Sequence, residues 1–240
     1  MSSKKARRGF DEEDYRWFSK EALEKLKTAQ EEVEWLLNRE YKSSSIIDFI
    51  GSHYQLSARQ RTALQRATSS RKQYEKRKGN MLENEAYKEG CIYIDGFNLI
   101  ITLEVALSQS VLILGNDGVL RDLAGLRGTY RLIDKTDEAL KLIGIMLNKL
   151  GVSEVKFFLD APVSNSGRLR NRILEHGASW NSSVSVELVP NADIVLSSLD
   201  RVVTSDSIIL DKCKSWVNLS RVIVESFIEK AWIVDLNQKG

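Results

Sequence analysis

The chain has 240 residues, 42% of them apolar and 28% charged, with 14 glycines and two prolines. That length allows one to two domains, the apolar content excludes a disordered chain, and so few turn formers argue against a many-stranded β-sandwich. Two distant cysteines, Cys91 and Cys213, exclude a disulfide framework and a zinc ribbon. The net charge of +2 hides an asymmetry: residues 1–90 carry 19 Lys/Arg against 15 Asp/Glu, and residues 91–240 carry 16 against 18. Between residues 57 and 78, eight bases face one acid, Glu75. A basic N-terminal part on a mildly acidic remainder is a pattern that any functional reading must explain. The N-terminus is basic but lacks an apolar core, so it does not read as a signal peptide. The most apolar stretch, 96–116, carries Asn98, Glu104, Ser108, Gln109 and Ser110 and reads as buried strand–helix–strand rather than a membrane span. The expectation is a soluble, cytoplasmic protein with no membrane partner.

In chain order, residues 20–39 place Leu23, Leu26, Val33, Leu36 and Leu37 at helical spacing. Ser43-Ser44-Ser45 breaks the pattern, and a helix over 46–54 follows. Ser57 is an N-cap for a longer basic helix over 58–78. The polar, glycine-bounded stretch 79–90 marks a domain boundary, giving a basic helical domain over 1–88 and an α/β domain over 90–240. Apolar runs at 91–95, 111–115, 155–160, 184–189, 201–206 and 231–235 read as strands. Segments 98–108, 136–150, 169–176, 193–199, 208–214 and 220–230 read as helices. Alternating strands and helices imply one mostly parallel sheet with helices on both faces.

Several strands end in an acid: Asp95, Asp160 and Asp206, with Asp117 just past 111–115 and Asp193 and Asp200 around the helix after 184–189. Ligands of open α/β sheets sit at the carboxyl ends of the strands, so these acids converge. Convergent carboxylates repel and drift toward protonation, and a hard cation such as Mg²⁺ or Mn²⁺ relieves that conflict. The nucleotide-binding patterns G-x-x-x-x-G-K-[ST] and G-x-G-x-x-G are absent.

Tyr93-Ile94-Asp95-Gly96-Phe97-Asn98 resembles the first-strand signature of PIN-like nucleases, above all their NYN branch. The segment from Pro190 to Asp200 and the run Thr204-Ser205-Asp206-Ser207 are similar to that family's later acidic segments. The resemblance covers about residues 91–235. It also extends to a prokaryotic family, frequent in archaea, that joins a helical domain of unknown function to a PIN-like domain. It implies a three-layer PIN-like domain in which Asp95, Asp193 and Asp206 hold Mg²⁺ or Mn²⁺ and Asn98 holds the loop or contacts a phosphate. The implied activity is metal-dependent phosphodiester cleavage, most often in RNA, with single-stranded DNA as the other substrate. Two departures accompany it. Ser207 stands where a further acid is usual, with Asp211 one turn on, and Glu104, Asp117 and Asp160 compete for the mid-chain acid. A non-catalytic RNA-binding adaptor is therefore the competing reading.

Beside the acids, Asp117 is a further candidate metal ligand. Arg121, Arg168, Arg170 and Ser205 are candidate phosphate contacts. Arg59, Arg66 and Arg71 of the basic helix are candidates for tracking a phosphate backbone. Whether the chain forms a homo-oligomer is left open.

Overall fold

The computed structural model describes residues 6–126 and 128–237. The helical part comprises α1 (Asp14–Trp17), α2 (Lys20–Leu37), α3 (Ser43–His53), α4 (Ala58–Ala67) and α5 (Arg71–Asn80), followed by a 3₁₀ turn (Asn84–Lys88). The α/β part begins with β1 (Cys91–Asp95), α6 (Gly96–Leu107), β2 (Val111–Leu114), β3 (Leu120–Asp122), α7 (Asp134–Leu150) and β4 (Glu154–Asp160). It continues with α8 (Ser166–Gly177), β5 (Ser183–Val189), α9 (Ala192–Leu196), β6 (Val202–Val203), α10 (Ser207–Leu210), α11 (Leu219–Phe227) and β7 (Trp232–Asp235).

The long basic helix expected over 58–78 is two helices. Ser57 and Ser70 each open one with a capping box, closed by Gln60 and Gln73. Between them the backbone N–H and hydroxyl of Ser69 both donate to Asn116 Oδ1 (2.9 and 2.8 Å). That bond ties the break to the end of β2. In the α/β part, α7 stops at Gly151, whose φ of +68° only glycine adopts freely.

The expected single sheet is also two sheets. One is wholly parallel, in the order β5-β4-β1-β6. The other has the order β3-β2-β7, with β2 parallel to β7 and antiparallel to β3. Residues 117–122, which read as a strand-end loop, fold back as a hairpin through Gly118 (φ +74°). Three strand residues are too few to show alternation in the sequence.

Side chains on the two faces of β2 go to different cores. Val111 and Ile113 pack with Leu26, Val33, Ile50 and Leu64 of the helices and with Val234 of β7. Leu112 and Leu114 pack with α6, α7 and β1. Burial on both faces explains the unbroken apolar run VLIL, and it makes β2 the shared wall of the helical and α/β parts. Arg59 adds a polar fastening, donating to both Asp14 carboxylate oxygens (2.8 Å each), to the Leu123 carbonyl (2.9 Å) and to the Gly9 carbonyl (2.6 Å). Among the described residues no helix is long and apolar enough to cross a membrane.

Gly96 opens α6 where the helix presses on β4. A Cβ there would lie 2.6 Å from Leu159 Cδ2 and 3.2 Å from the Phe158 carbonyl oxygen. Gly96→Ala is expected to cost about 1–3 kcal/mol, the usual range for overpacking. The midpoint of urea unfolding should fall at an unchanged slope; an unchanged midpoint would show that Leu159 yields freely.

Candidate functional site

In the parallel sheet, β4 and β5 lie on one side of β1 and β6 on the other. The strand order therefore reverses at β1, the position where open α/β sheets form a crevice. A cavity of about 700 Å³ opens there, and its wall includes Asp95, Asn98, Asp160, Asp193, Ser205 and Asp206. The structure thus brings together the acids expected at 95, 193 and 206. Of the three competitors for the mid-chain acid, Glu104, Asp117 and Asp160, it places Asp160 in that wall.

Each acid is held by local backbone. Asp95 Oδ1 accepts the Asn98 N–H (3.3 Å), capping α6, and Oδ2 accepts the Thr204 hydroxyl (2.9 Å). Burial pushes the Asp95 carboxyl up to about 7; the Thr204 and Asn98 bonds oppose this, and the charges of Asp193 and Asp206 add to it. Asp206 Oδ1 accepts the N–H groups of Ile208 (2.7 Å) and Ile209 (3.2 Å) at the start of α10. Asp160 Oδ1 accepts the Ala192 N–H (2.8 Å), fixing the start of α9, which carries Asp193. Asp193 stands at the rim, and its carboxyl is raised by desolvation and then by the charges of Asp206 and Asp160. Asn98 Oδ1 accepts both the backbone N–H (2.8 Å) and the hydroxyl (2.9 Å) of Ser205. These bonds draw residues 204–206 off the ladder, which is why β6 is shorter than the run 201–206 suggested.

Among the described residues no group of three or more His, Cys, Asp or Glu side chains is gathered closely enough to hold a metal ion by itself. A hydrated hard cation needs only one or two carboxylates and keeps waters and substrate phosphates as its other ligands.

The remaining candidates are placed elsewhere or spent. Asp117 is not in the cavity wall. Its carboxylate is 2% exposed and gripped by Arg121 Nη1 and Nη2 (2.8 and 2.6 Å) and Arg77 Nη1 (2.6 Å). Burial alone would raise its carboxyl, but the Arg121 and Arg77 charges and hydrogen bonds outweigh it and lower it to about 2. A carboxylate so saturated is a structural anion, which corrects its place among the metal ligands. Arg121, expected to meet a phosphate, is 4% exposed and braces the Ser205 carbonyl through Nε (2.9 Å).

Most of the named charges of the basic run are neutralised within the chain. Arg59 serves the fastening described above, and Arg71 pairs with Glu75 on the surface (2.8 Å). Of the three candidates in that run, Arg66 alone reaches the cavity wall. Arg77, one of the eight bases of that run, instead joins α5 to the α/β part. Its Nε meets Asp211 Oδ1 (2.7 Å), and Gln73 Nε2 meets Oδ2 of the same residue (2.7 Å). Arg168 and Arg170 sit at exposed positions on α8, outside the cavity wall, because that helix already starts at Ser166. Glu104 is buried and accepts from Tyr130 Oη (2.6 Å), the Thr136 hydroxyl and Arg8 Nε (2.8 Å), so it too is structural.

Fold and cavity define an α/β protein with an acidic crevice at the ends of a parallel sheet. The family described as "Domain of unknown function (DUF5616)" matches residues 84–222, and "Protein of unknown function (DUF434)" matches residues 25–79. The chain belongs to the DUF5616 family. It is 33% identical over 185 residues to an uncharacterised protein of Methanocaldococcus jannaschii, covering 77% of this chain and 88% of that protein. No solved structure matches it. The two family matches meet between residues 79 and 84, within the glycine-bounded stretch 79–90.

Proposed function

We propose that this protein hydrolyses phosphodiester bonds in RNA, with single-stranded DNA as the alternative substrate, on a PIN-like domain that uses Mg²⁺ or Mn²⁺. The observation that carries the reading is that Asp95, Asp160, Asp193 and Asp206 line one cavity, where the charges of Asp193 and Asp206 help raise the Asp95 carboxyl and those of Asp206 and Asp160 help raise the Asp193 carboxyl. When bound, such an ion polarises a phosphate and acidifies a coordinated water. Asp95 and Asp206, each fixed by backbone donors, are the residues that would hold it. Asp193 stands at the rim with a raised carboxyl pKa, which suits a group that takes a proton from the attacking water. Asn98 uses only its Oδ1 on Ser205, leaving its amide N–H groups for a phosphate oxygen.

Incubating labelled RNAs with Mn²⁺ tests the reading. Wild type should cleave, and Asp206→Asn should lose roughly 100-fold or more, since even outer-shell changes at metal sites cost 10- to 100-fold. No cleavage by wild type across several RNAs contradicts it. One observation favours a second reading, an RNA-binding adaptor without turnover: Asp211 is consumed by Arg77 and Gln73, and Ser207 carries no charge. Strong, salt-sensitive RNA binding without product would support that reading.

A further inference from the structure

The cavity does not end at the acids. Its volume of about 700 Å³ far exceeds a phosphate and a few waters at about 30 Å³ each. The N-terminal helices also contribute to its wall, and not all of that wall is acidic. Phe97 and Ile101, one turn apart on α6 and only 4% and 5% exposed, and Leu126 add apolar edges to the wall. Arg66 of α4, 37% exposed, and Asp122 at the end of β3 add a guanidinium and a carboxylate.

Arg66 Nη1 donates to the Asp122 backbone carbonyl and stands 3.6 Å from Asp122 Oδ1. Asp122 Oδ2 accepts the Thr102 hydroxyl (3.2 Å). Asp122 Oδ1 is buried and has no hydrogen-bond donor, although the residue is only 6% exposed. An orphaned buried acceptor is unfavourable and native structures rarely leave one. The atom is closed to solvent, so a ligand supplies the missing donor when the part-exposed Arg66 side chain beside it moves aside.

We infer that this part of the cavity binds a nucleobase, so that the N-terminal helices complete a base subsite beside the acids. The inference rests on the phosphodiester reading for the position of the neighbouring phosphate. An unstacked base is held against flat apolar or guanidinium surfaces and recognised by hydrogen bonds along its edge. Phe97 and Ile101 supply apolar edges, Arg66 a donor and Asp122 an acceptor. Every base edge carries an N–H beside an acceptor, so the subsite registers the presence of a base rather than its identity.

The test is titration calorimetry of the full chain with adenosine 5′-monophosphate, ribose 5-phosphate and adenosine, each with and without Mn²⁺. The nucleotide should bind roughly 10-fold or more tighter than the sugar phosphate, the range expected for one stacked base. Arg66→Ala and Asp122→Asn should erase that difference while leaving ribose 5-phosphate binding in place. Arg66, half on the surface, is the variant to read if Asp122→Asn lowers the yield of folded protein. Equal affinities for nucleotide and sugar phosphate in wild type would overturn the base subsite and leave the phosphodiester reading intact. Arg66-dependent adenosine binding without any Mn²⁺ or phosphate binding would uphold the subsite and overturn that reading. No binding of any probe would overturn both.

Discussion

Asp117→Ala is expected to destabilise the fold by about 3–5 kcal/mol, the cost of leaving the buried Arg121 without its counter-ion and Arg77 with Asp211 alone. Arg77 and Arg121 are 3% and 4% exposed, and both direct guanidinium nitrogens at this one carboxylate. Neither can retreat to water without unpacking the elements that carry it. For a chain of this size each kcal/mol lowers the melting temperature by roughly 2–4 °C. The effect reaches the candidate site, because Arg77 also holds Asp211 and Arg121 holds the Ser205 carbonyl, on either side of Asp206. Asp117→Asn keeps an acceptor but not the charge and should fall between wild type and alanine. Urea unfolding of the three proteins checks the order; an alanine variant within about 1 kcal/mol of wild type would mean the arginines find other partners.

Asp95→Asn is expected to act in the opposite direction. Its carboxyl rises from an ordinary value of 3.8 to about 7 in the folded state, so the native protein binds that proton more tightly than the unfolded chain. The resulting stability is complete below the ordinary value and is lost as pH rises through about 7. At 1.36 kcal/mol per pKa unit, the loss for wild type is of order 4 kcal/mol. The asparagine has no proton to lose. Thermal melts should agree near pH 4 and diverge upward, with Asp95→Asn melting higher at pH 8. Mn²⁺ should raise the wild-type melting temperature at pH 8 by mass action and leave the variant unmoved. Parallel curves for the two proteins across this range would contradict the burial of an ionisable Asp95.

Much of the architecture was legible because its signals are local. The spacing of Leu140, Ile143 and Leu147 before Gly151 gives α7, and the Ser57 cap gives the start of α4, whereas the second cap at Ser70 was hidden inside one continuous helical pattern. Asp95, Asp160 and Asp206 were legible because each follows an apolar run that ends at one sheet edge, and Asp193 because it opens the helix after 184–189. What the sequence could not separate was Asp95 from Asp117, since both follow an apolar strand. The difference is that β2 pairs with β7, more than a hundred residues away, and so leaves the sheet that carries the crevice. The same long-range character hid the partners of the basic run. Nothing near Arg59 announces Asp14, and nothing near Arg77 announces Asp117 and Asp211. Charge density alone therefore suggested a nucleic-acid surface where the fold uses several of those charges as internal fastenings.

The central claim is that aspartates scattered over more than a hundred residues share one cation. Anomalous diffraction from a crystal soaked in Mn²⁺ tests it most directly. The account predicts a peak beside the carboxylates of Asp95 and Asp206, and its loss in Asp206→Asn. Manganese bound only elsewhere on the molecule, or not at all, would contradict it.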